Sequence, residues 1–133
     1  MPAHVFDYAI VRVVPRVERG ELINVGVVVH CPTRGFLGCR IALDRERLCA
    51  LDPHADVDAI ARHLDAFRRV CEGDPTAGAM AALPARERFH WLVSPRSTAI
   101  QTSPVHAGLA EDPEHALTRL VDQLVLPPIV TRS

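Results

Sequence analysis

The chain is 133 residues long, 48% hydrophobic and 23% charged, enough for one compact domain with a real core and too apolar for wholesale disorder. All 15 basic residues are arginine, set against 16 acids for a net charge of −1, which argues against the basic excess of a broad nucleic-acid surface. The longest uncharged apolar run, residues 22–31, is too short for a membrane span, and the amino terminus lacks the ordered regions of a signal peptide.

Residues 5–14, rich in β-branched and aromatic types and ended by Pro15, predict a first strand. Gly20 supplies a positive-φ turn. Residues 22–30 then form a second strand, antiparallel to the first and apolar enough to lie centrally. Residues 32–35 turn the chain into a third strand, 36–43, which completes a meander. Asp44 caps a short helix running through Leu51, and Asp56 caps a longer one ended by Gly73. In the longer helix Val57, Ile60, Ala61, Leu64, Phe67 and Val70 keep helical spacing. Residues 76–84 read as weak helix or mobile loop, 85–93 as one or two helical turns, 98–103 as a fourth strand and 104–112 as loop. Pro113 opens a last helix, 114–125, with Leu117, Leu120, Val121 and Leu124 as its buried stripe. The expected fold is α+β: an antiparallel sheet of about four strands, an N-terminal three-stranded meander plus a late strand, packed on one face by two to four helices. Residues 1–126 make a single globular domain and 127–133 a flexible tail.

Cys31, Cys39, Cys49 and Cys71 show no C-x-x-C spacing and read as reduced thiols of a soluble cytoplasmic protein. No metal site and no cofactor is expected, since H-x-x-x-H, H-E-x-x-H, the P-loop and G-x-G-x-x-G do not occur. The arginine bias reads either as GC-rich coding sequence or as selection for planar guanidiniums that grip anions.

Two constellations stand out. On strict alternation Ile23, Val25, Val27 and Val29 share the helix-covered face of the second strand, and Leu22, Asn24, Gly26, Val28 and His30 share the other. Gly26 leaves a gap for a ligand or another backbone. Arg12 interrupts the first strand and needs an acceptor if covered, for which Glu21 is the nearest candidate in sequence. Two readings stay open: an Arg12–Glu21 ion pair with Asn24 tying off a bulge or a loop, or an anion-facing platform of Arg12, Arg16 and Asn24. The second constellation, HWLVSPRSTAIQTS, sets the only tryptophan, Trp91, near His90, Arg96 and Gln101. Such a set stacks on and hydrogen-bonds a base or phosphate, or else is a core tryptophan followed by a turn. Ser94 near His90, and Cys31 beside His30, have proximity alone, without a third orienting group or a G-x-S-x-G elbow.

Tyr8-x-x-x-Arg12-x-x-Pro15, Gly20-Glu21-x-x-Asn24-Val25-Gly26-Val27, Trp91-x-x-Ser94-x-Arg96 and Ile100-Gln101-x-Ser103 together resemble the small bacterial family catalogued as domain of unknown function 3037. The resemblance covers nearly the whole chain. It implies a single-domain bacterial protein with no assigned activity and, through HipA-like kinases found beside family members, an accessory or partner role.

These readings converge on a non-enzymatic binding or accessory module, with a HipA-like kinase as the partner the resemblance implies. The strand platform and the Trp91-to-Gln101 segment would then form one recognition surface. The alternative is an enzyme or binder of a phosphorylated or nucleotide-like small molecule. There Arg12, Arg16 and Arg96 hold the anion and Glu21 or His90 is the general base, which requires Arg12, Glu21 and His90 in one pocket. A homodimer across an exposed sheet edge is the third expectation. Whether the protein is catalytic stays open in the sequence. The geometric expectation beneath the first two is that Arg12 and Asn24 project from one side of the sheet, toward an accessible hollow.

Overall fold

Runs of β-branched residues set the frame of a computed structural model that describes residues 2–128. β1, His4–Val13, and β2, Ile23–Cys31, pair antiparallel from Asp7↔His30 to Val13↔Ile23. A 3-10 turn, Val17–Arg19, and Gly20 at φ 70° join them, so the glycine supplies the left-handed backbone. β3, Phe36–Ile41, adds to the other edge of β2 and completes the meander. α1, Arg45–Leu51, begins where Asp44 accepts from the Arg47 N–H at 3.1 Å. α2, Val57–Glu72, begins where Asp56 accepts from the Ala59 N–H at 3.0 Å and ends at Gly73, φ 71°. The alanine-rich stretch after it forms two 3-10 turns, Pro75–Ala77 and Ala79–Ala82, before α3, Ala85–Leu92. β4, Ile100–Thr102, and β5, His106–Ala110, precede α4, Pro113–Leu124, which Asp112 caps by accepting from the Glu114 N–H at 3.0 Å.

The fold is α+β: the described residues form an antiparallel sheet of five strands with four helices. β5 is the strand that the sequence reading, about four strands with a loop over 104–112, does not contain. It pairs with β1 from His4↔Ala110 to Tyr8↔His106. HAGLA has little strand propensity of its own, and the unpaired edge of β1 is what draws it in. Gly108 lets the Phe6 ring lie against the backbone, since a Cβ there would come within 2.6 Å of Phe6 Cζ. Between β4 and β5 the Ser103 hydroxyl accepts from the Ile10 N–H at 2.8 Å and donates to the Pro104 carbonyl at 2.9 Å, so a side chain bridges the break in the ladder.

Helices cover both faces, which corrects the expectation of one. α1, α2 and α3 pack Leu48, Ile60, Leu64, Phe67, Phe89 and Leu92 against Ala9, Val11, Val13, Ile23, Val25 and Val28. α4 packs Ala116, Leu117, Leu120 and Val121 against Phe6, Val27, Val29 and Cys31. The reason lies in β2. Its ladder runs Val11↔Gly26 and then Arg12↔Asn24, leaving Val25 as the extra residue of a β-bulge. One extra residue reverses the alternation, so Ile23 and Val25 face α1–α3 while Val27 and Val29 face α4.

His30 lies in the core against Phe89, ring centroids 5.1 Å apart, and burial lowers its pKa more than the nearby Asp7 raises it. The folded state therefore binds fewer protons than the unfolded chain once pH falls through the free-histidine value near 6.5, and stability falls with it. Urea midpoints should drop between about pH 7 and pH 5 in the native protein and stay flatter in His30→Phe; equal slopes would place the titrating group elsewhere. Among the described residues no helix is long and apolar enough to cross a membrane. The tail expected over 127–133 lies outside the described residues from position 129 onward.

Candidate functional site

Antiparallel register puts Arg12 opposite Asn24 on β2 and opposite Gln101 on β4, so three polar side chains line up across the α4 side of the sheet. Arg12 Nε donates to Asn24 Oδ1 at 3.3 Å, and Asn24 Nδ2 donates at 3.0 Å to the carbonyl of Leu124, the last residue of α4. Asn24 thus satisfies an orphan carbonyl at a helix end, and both ends of its amide serve the fold. Gln101 Nε2 turns back to the Thr98 carbonyl at 2.9 Å. The gap at Gly26 is filled by β3: a Cβ would meet the Arg40 carbonyl oxygen at 2.6 Å, so another backbone occupies the space offered to a ligand.

The rest of the strand platform lies elsewhere. Glu21 pairs with Arg19 rather than Arg12, while Arg16 reaches buried Asp52 at 3.5 Å and exposed Glu18 at 3.7 Å. Arg16, Arg19, Glu21 and Asp52 edge a crevice of about 10 Å³ beside α1, room for about one water. His90 is exposed on α3, and its carbonyl accepts the Ser94 hydroxyl at 2.7 Å, so that hydroxyl is engaged by backbone. Arg12, Glu21 and His90 are not brought together. Cys31 and His30 point to opposite faces, Cys31 donating to the Val5 carbonyl at 3.6 Å. The four cysteines are free, and a hydrogen bond with Cys39 together with burial pushes the Cys71 thiol far up, which keeps it protonated and inert.

An accessible hollow does exist, on the other face. Ile100 pairs with Val13 and points toward α1–α3, whereas Gln101 beside it points toward α4. Behind Ile100, between α2 and the segment that follows α3, opens a cavity of about 400 Å³, within the size range of small-ligand and anchor-residue pockets. α2 contributes His63, Phe67 and Val70 at helical spacing, and Trp91 and Arg96 form the facing wall. The Arg96 guanidinium lies 4.5 Å from the Trp91 ring centroid. It is fixed there by donating to the Leu92 carbonyl at 3.1 Å and to the Trp91 carbonyl, both at the C-terminal end of α3. Burial pushes Arg96 below the usual guanidinium range. Trp91 keeps 37% of its surface exposed.

The sequence singles out Trp91 and Arg96 but not the wall opposite. Phe67 and Val70 read as core stripe, which they also are, being 5% exposed each. The signal lay in His63: a polar residue four before Phe67 marks where that stripe comes to the surface. Fold and hollow together define a small α+β protein that presents a preformed apolar pocket with one cation on its wall. The chain belongs to the family described as "Protein of unknown function (DUF3037)", whose model matches residues 8–125. No curated protein and no solved structure matches it.

Proposed function

We propose that this protein is a non-enzymatic binding module, a cytoplasmic bacterial accessory protein that seats an apolar anchor of a protein partner in the Trp91–Arg96 hollow. The observation that carries this reading is the pairing of an exposed tryptophan with an immobilised arginine over a cavity of about 400 Å³. Trp and Arg are the residue types that dominate interface energetics, and both are held ready here, so little ordering cost remains for binding. A HipA-like kinase is the partner suggested by the family resemblance. The test is co-purification of the tagged protein with a co-expressed HipA-like kinase from the same bacterium, followed by titration. Trp91→Ala should keep its circular dichroism spectrum and lose about 30-fold or more in affinity. Unchanged kinase affinity in a folded Trp91→Ala protein, or no kinase retained by the native one, would refute the reading.

A further inference from the structure

If the hollow seats a partner's anchor, its chemistry narrows what that anchor is. A guanidinium carries five N–H groups, and one on each terminal nitrogen of Arg96 is committed to a helix carbonyl. None of the described residues that line the hollow is acidic. Among the described residues no carboxylate lies within ion-pair distance of Arg96, while of the three arginines of α2, Arg68 and Arg69 are paired to Asp65 and Arg62 is exposed to solvent. A half-buried cation facing an apolar cavity without a counter-charge is a costly arrangement that an incoming anion relieves. Its remaining N–H groups suit the planar, two-oxygen geometry of a carboxylate.

We propose that the hollow takes the C-terminal residue of a partner chain, its aromatic or branched side chain against Phe67, Val70 and Trp91 and its α-carboxylate on Arg96. This rests on the partner-binding reading above. A chain terminus is the simplest polypeptide group that brings a large apolar side chain and an anion within one residue, matching one cavity with one cation on its wall.

Trp91 is the only tryptophan, so its fluorescence reports the hollow directly. The experiment titrates the native protein with N-acetylphenylalanine and with its C-terminal amide, which differ only in the anion. The carboxylate should give a saturable change in Trp91 emission at about tenfold lower concentration than the amide. That preference should shrink as salt rises and vanish in Arg96→Gln. Equal binding of the two compounds would overturn the assignment, because an internal apolar side chain would then serve as well, and partner seating in the hollow would survive. Binding of neither compound, with kinase retention still dependent on Trp91, would also overturn it. Loss of kinase retention altogether would instead strike the earlier reading. The comparison of the two compounds on the native protein needs no variant, so a folding defect in Arg96→Gln leaves it intact.

Discussion

Gly26→Val should cost the protein about 3 kcal/mol or more and leave much of it unfolded at growth temperature. Any Cβ at this position meets the Arg40 carbonyl oxygen at 2.6 Å, Ile41 Cδ1 at 2.7 Å and Ile41 Cα at 3.4 Å. Two of those atoms belong to the backbone of β3, which is held to β2 by the ladder itself, so no rotamer change relieves the clash. Moving β3 away would break pairing at Gly26↔Ile41, and moving β2 would disturb the adjacent bulge and the Val11↔Gly26 pair. Gly20→Ala provides the contrast. Gly20 sits at φ 70° with nothing within 4 Å of a built Cβ, so only the left-handed backbone penalty applies, roughly 1 kcal/mol. Urea denaturation of both variants separates the two mechanisms. A Gly26→Val protein within about 1 kcal/mol of the native one would mean that β3 is not held as described.

What was legible in the sequence was what is local. Asp44 and Asp56 each precede a periodic apolar run, and each caps its helix, because a cap needs only residues two or three positions away; Asp112, which the sequence leaves in a loop, caps the last helix in the same way. The meander follows from short connections for the same reason. A bulge or loop beside Asn24 is among the open readings, but its position was not legible: nothing in INVGVVV marks which residue falls out of register, and alternation carried through it mis-sorts every residue on one side. β5 escaped because its cause is the open edge of β1 almost a hundred residues away, not its own composition. The expected placement of Arg12 and Asn24 on one side of the sheet agrees with the register, yet the hollow lies on the opposite face, where Ile100 rather than Gln101 points. Trp91 and Arg96 drew notice as unusual neighbours, but a cavity also needs a second wall. Spacing alone does not distinguish a helix face that is buried from one buried on three sides and open on the fourth.

The wall that carries Trp91 and Arg96 depends on what the buried face of α3 holds, above all the side chain two positions before the tryptophan. α3 runs only from Ala85 to Leu92, and its N-terminus has no side-chain cap, so it is far too short to persist by propensity and must be held by what it buries. Phe89, 3% exposed and stacked on His30 at 5.1 Å, and Leu92, fully buried, are that anchor. Phe89→Ala should therefore lose about 3–5 kcal/mol and roughly 10–20 °C in Tm. Its neighbour Trp91 should show the reverse pattern: being 37% exposed, it should cost about 1 kcal/mol or less when truncated, while binding is lost. Sub-denaturing urea sharpens the distinction. If Phe89 positions the wall, Trp91 emission in Phe89→Ala should shift red before the far-ultraviolet signal of the sheet changes, because α3 would detach while β1 and β2 remain paired. A single transition seen identically by both probes would mean that the wall and the sheet fold as one unit, and that the hollow is as rigid as the core beneath it.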